Sequence, residues 1–127
     1  MNILANCYEL LNAKEGLEKV MGDIMRVLYL YRSLWLPEIK SEVESLVTTL
    51  GETPYSSREI NEAIKQLISL GLVFVREGIK ASLRDEGQQS ILLTININDE
   101  CVQHLLEDER LQRYQYARVR ALRRPFD

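Results

Sequence analysis

The chain has 127 residues, 46% of them apolar and 28% charged, with a formal net charge of -3. A chain of that size can bury one core without metals or disulfides, and nothing in the composition argues for disorder. No apolar run approaches the ~18 residues of a membrane span, and the first residues lack the basic-then-apolar layout of a signal peptide. From the start, Ile3, Leu4, Cys7, Tyr8 and Leu11 make a short amphipathic helical pattern that loosens around Asn12 and Gly16. Next, Leu17, Val20, Met21, Ile24, Val27, Leu28 and Tyr31 recur at three- and four-residue steps. This predicts a helix with Lys14, Glu18, Lys19, Asp23 and Arg26 elsewhere on the wheel. SLWL follows as an edge strand. Pro37 then opens a helix whose inner stripe is Ile39, Val43, Leu46, Val47 and Leu50, and Gly51 ends it.

After GETPY, Ser56 and Glu59 have the spacing of a capping box, in which hydroxyl and carboxylate satisfy the free amides of a helix start. Ile60, Ala63, Ile64, Leu67 and Ile68 form the inner face of that helix, and Gly71 supplies the left-handed residue at its end. LVFVREGIKASL reads as a strand with Gly78 as a candidate bulge, RDEGQQ as a turn, and SILLTININ as a half-buried strand. Asn98 or Asp99 caps a last helix.

Charge is unevenly spread. Glu38 to Glu52 holds four acids and one lysine, and Asp99 to Glu109 holds five acids and no Lys or Arg. The last eighteen residues carry Arg110, Arg113, Arg118, Arg120, Arg123 and Arg124 against Asp127 alone. Cys7 and Cys101 lie far apart and form no spaced cluster, which predicts two small buried thiols in a reducing, cytoplasmic compartment.

Three segments carry a resemblance: WLPEIKSEVESLVTTLG, SSREINEAIKQLISLGLV and FVREGIKASLRDEGQQSILLTI. Together they resemble the winged helix-turn-helix superfamily, as the first helix of the pair, the recognition helix and the wing hairpin. The LGLV exit and the ILLT strand leading into a helix are similar to bacterial and archaeal regulators of this type, and the likeness covers roughly Leu17 to Leu106. It implies an α+β, mainly α fold with a two- to three-stranded antiparallel wing sheet and extra helices at both ends. The domain would span 17–106, between an N-terminal helical extension, 1–16, and a basic C-terminal one, 107–127. The function implied is sequence-specific binding of double-stranded DNA by a dimeric transcription regulator. This fold also serves as a protein-interaction module in larger assemblies, which is the alternative that the acidic total favours.

If Ile60, Ala63, Ile64 and Leu67 pack inward, then Ser57, Asn61 and Lys65 point out together with Arg58 beside them. Arginine can fork onto guanine and asparagine onto adenine, while Lys65 and the helix amides hold phosphates. Lys80 and Arg84 in the wing would grip flanking phosphates. Against this, Ser56 to Ser90 holds five bases and five acids, the balance of a solvated face.

At the basic end, Val102, Leu105 and Leu106 define one helix face, and Arg113, Arg120 and Arg124 fall on it later, while Leu111, Tyr114, Ala121 and Leu122 lie elsewhere. Either the helix breaks near Glu109 or it meets a second subunit through Leu111, Tyr114 and Leu122. The arginine stripe would then pair with the acidic 38–52 helix of the other chain, track phosphates, or be solvated.

No enzyme is expected. The chain has no phosphate-binding glycine loop and no nucleophile motif, and His104 is its only histidine. Cys101 and His104 could make half of a metal site, but a zinc site needs further ligands, so neither metal nor cofactor is expected. Trp35, between Leu34 and Leu36, reads as core.

Overall fold

The computed structural model describes residues 7–77 and 91–123. In chain order its elements are α1 (Cys7–Asn12), α2 (Gly16–Tyr31), β1 (Ser33–Trp35), α3 (Leu36–Thr49), α4 (Ser57–Ser69), β2 (Val73–Glu77), β3 (Ile91–Ile95), a 3-10 helix (Glu100–Glu107) and α5 (Glu109–Arg123). The protein is therefore mainly helical with a small antiparallel sheet of order β1-β3-β2.

Helix α2 is the hub. Every residue from Val20 to Leu28 is buried, because α1, α3 and α4 all pack around it. A helix apolar all round belongs in a core, not at a surface. Gly22 lets α1 come close: a Cβ built there would lie 2.5 Å from the Leu10 carbonyl oxygen. Asp23 and Arg26, off the apolar stripe of the wheel, are buried as well.

Helix α4 follows its sequence signals closely. Ser56 Oγ accepts from the Glu59 amide at 3.1 Å, and the Glu59 carboxylate accepts from the Ser56 amide at 2.8 Å. Ile60, Ala63, Ile64 and Leu67 are buried, whereas Ile68 is half out of the core at the edge of the stripe. Gly71 adopts φ 75° after the helix, and its carbonyl accepts from the Asn96 side chain at 3.0 Å. That bond ties the α4 exit to the end of β3.

In the sheet, Leu34, Leu93, Val73 and Ile95 face the helices and are buried. The register places Trp35, Leu92 and Arg76 in one row of the opposite face and Ser33, Thr94 and Phe74 in the next. Ser33 and Thr94 share a 2.7 Å hydroxyl hydrogen bond, and Trp35 is half-buried, not core.

The C-terminal part differs most from the sequence expectation. Val102 and Leu105 are buried on a 3-10 helix that stops at Asp108, whose carboxylate accepts from the Leu111 amide at 2.8 Å and starts α5 afresh. This break is the cause of the phase change. Leu111 and Tyr114 are each only 1% exposed inside their own chain, and the Tyr114 hydroxyl lies 2.8 Å from Ser45 Oγ on α3. Their assignment to a dimer interface is therefore corrected: the single chain already buries both. The side chain of Leu122 lies outside the described residues, as does Arg124.

Cys7 also departs from expectation. It is buried but disulfide-bonded, not a reduced thiol. Among the described residues, no helix is long and apolar enough to cross a membrane.

Candidate nucleic-acid interface

Opposite its buried stripe, α4 presents Ser57, Arg58, Asn61 and Lys65, all exposed. Among the described residues none of the four makes a side-chain hydrogen bond or ion pair, so their donors and acceptors are available. The acids between them are less free. Glu59 is held by the cap, and Glu62 accepts from Gln66 at 3.4 Å. Lys80 and Arg84 lie outside the described residues.

A cluster that the sequence reading missed joins α2, the start of α5 and the loop before α4. The Arg26 guanidinium forks onto Asp108 at 2.8 and 2.9 Å, donates to Asp23 at 2.9 Å and to the Leu11 carbonyl at 2.6 Å. Arg110 forks onto Asp23 at 2.8 and 2.9 Å and onto Glu52 at 2.7 and 2.6 Å. Lys19 donates to Glu52 at 2.8 Å and to the Tyr55 hydroxyl at 2.6 Å, and Tyr55 donates to Asp23 at 2.6 Å. Three carboxylates face three cations, and the forked geometry gives both charge and direction. The cluster fastens the start of α5 to α2 and to the loop that leads into α4, so the first turns of α5 are part of the packed body. The legible signal was VMGDIMRVL, a run with two charges three apart on a helix too apolar to own a solvent face.

Burial and the Asp23 carboxylate push the Tyr55 hydroxyl well above the usual phenol range, so it stays a donor. Hydrogen bonds from Arg110 outweigh burial and, with Lys19, lower the Glu52 carboxyl from an ordinary 4.5 to about 2. A folded value below the unfolded one means that this carboxylate's stabilisation is complete above pH 4.5 and is lost as pH falls toward about 2. Thermal melts across that window are expected to fall more steeply for the parent than for Glu52→Gln, because only the parent loses a charged Glu52. Parallel curves would mean that the ion pair contributes nothing. Glu52 is partly exposed, so the effect is screened and modest.

The remaining arginines of α5 are dispersed. Arg118 lies over the rings of Tyr31 and Tyr114, at 5.9 and 5.3 Å, and Arg120 over Tyr116 at 5.8 Å. His104 is exposed and meets the Tyr8 ring edge-on at 5.5 Å. Among the described residues no group of three His, Cys, Asp or Glu side chains is placed to hold a metal.

No protein-family model, curated protein or solved structure matches this chain.

Proposed function

We propose that the protein binds double-stranded DNA as a winged helix, with α4 as the recognition helix and the β2–β3 hairpin as the wing. The observation that carries this reading is the exposed row Ser57, Asn61 and Lys65 with Arg58 beside it, uncommitted to any other described residue. The element order from α2 to β3 and the sheet order β1-β3-β2 are those expected of a winged helix, and they support it. DNA as the partner argues for a cytoplasmic protein. The disulfide at Cys7 runs against a reducing compartment, where such bonds are rare.

Arg58→Ala is expected to relax discrimination between duplexes by about 1–3 kcal/mol if it reads guanine, whereas Lys65→Ala should weaken every sequence alike. Both should melt as the parent does, since neither side chain is buried. Parental binding by both variants across a panel of duplexes would remove α4 as the reading element.

A regulator of this kind would work as a homodimer, because paired half-sites need paired recognition helices. With Leu111 and Tyr114 committed to the core, the large apolar side chains exposed on α5 among the described residues are Tyr116 and Val119, one turn apart. Sedimentation at micromolar concentration should show a dimer that Tyr116→Glu with Val119→Glu converts to monomer. A parent that sediments as a monomer would contradict this.

The second reading is a protein-interaction module without catalytic activity. A specific feature favours it: Phe74, an aromatic side chain on the edge strand β2, is 51% exposed.

A further inference from the structure

A cleft of about 370 Å³ lies between the α1–α2 turn and the start of α5, on a side of the molecule lined by no residue of α4. That volume is within the usual range for small-ligand sites, but its walls are charged, which selects a charged occupant. Its floor is the cluster already described: Arg26, Arg110 and Lys19 are each balanced by Asp23, Asp108 or Glu52. The rim is different. Lys14 and Arg113 line the cleft, are exposed, and have no ion-pair partner among the described residues. One acid, Glu109, shares the rim with them. Two uncommitted cations against one carboxylate, over a floor rich in guanidinium groups, leave a net positive opening.

We propose that this cleft binds a small oxyanion carrying two or more negative charges, a polyphosphate or a polycarboxylate, with Lys14 and Arg113 as its principal contacts. The site does not depend on the DNA-binding reading. It does offer a route to α4. Lys19, Glu52 and Arg110 line the cleft, and Lys19 also holds Tyr55, the residue before the α4 cap Ser56. An anion that draws Lys19 or Arg110 toward itself loosens their hold on Glu52 and so acts on the start of α4.

The test is titration of the full chain with pyrophosphate and, separately, with citrate, followed by calorimetry and by thermal shift at matched ionic strength in chloride. At least one of the two should bind with saturation, and the stronger one names the ligand class. Lys14→Gln with Arg113→Gln should weaken that binding by at least about tenfold, the loss expected of a charge-assisted hydrogen bond. Glu109→Gln should move it the other way, by roughly two- to fivefold, as expected for removal of one exposed repulsive charge. Both sets of changes are at exposed positions, so the folded state is kept. Absence of saturable binding to either anion would overturn the proposal. So would equal binding by the parent and the double variant, which would mark a general salt effect.

Discussion

Asp23→Ala is expected to lower the free energy of unfolding by about 3–5 kcal/mol, the range for removing one partner of a buried ion pair. Asp23 is fully buried, and its two oxygens accept from Arg26, Arg110 and the Tyr55 hydroxyl. Its loss leaves Arg26 with Asp108 and Arg110 with Glu52, so three cations face two carboxylates, and the buried ends of both guanidinium groups lose their shared acceptor. A domain of this size holds roughly 5–15 kcal/mol in total, so the loss is a large share of it. Denaturant unfolding measures this directly. Arg110→Ala removes the other side of the pair, and the double variant should cost less than the sum of the singles, because each single strands a charge that the double does not. A loss below about 1 kcal/mol for Asp23→Ala would fit an exposed, screened pair and would contradict the buried arrangement.

Leu67→Asp is expected to unfold the protein outright. Leu67 is fully buried where α4 packs on α2, and an unpaired carboxylate there costs several kcal/mol on top of the lost apolar contact. Lys65→Asp, two residues away, should fold normally because Lys65 is exposed. The contrast separates the inner face of α4 from its outer one within a single helical turn. Circular dichroism melts suffice, and a cooperative, near-parental transition for Leu67→Asp would show that the helix is turned differently.

Local signals made α4 readable from sequence. The capping box at Ser56 and Glu59, the apolar stripe and Gly71 are each satisfied by neighbours within a few residues, so spacing alone locates them. The sheet was legible for a similar reason, since alternation in ILLTI marks which side chains face inward. What could not be read locally was the ion cluster. Arg110 and Asp23 are eighty-seven positions apart, and only the packing of α5 on α2 brings them together. The same blindness produced the misreading of Leu111 and Tyr114. The pattern leaves two alternatives open, a break near Glu109 or a second subunit; the second subunit is the wrong choice, because a 3-10 segment that stops before Asp108 turns both into the core. Asp108 serves as a helix cap and as an Arg26 partner at once, and neither role leaves a mark in hydrophobic periodicity.

The most direct measurement is the salt dependence of binding to a mixed-sequence duplex. Binding through the α4 face and the wing releases counterions, so affinity should fall steeply and log-linearly with salt, each phosphate contact adding about 0.9 to the slope. Lys65→Ala should flatten that slope by about 1 while leaving the fold intact. No binding at low salt, or binding indifferent to salt and to Lys65, would contradict the account and leave the protein-interaction reading in its place.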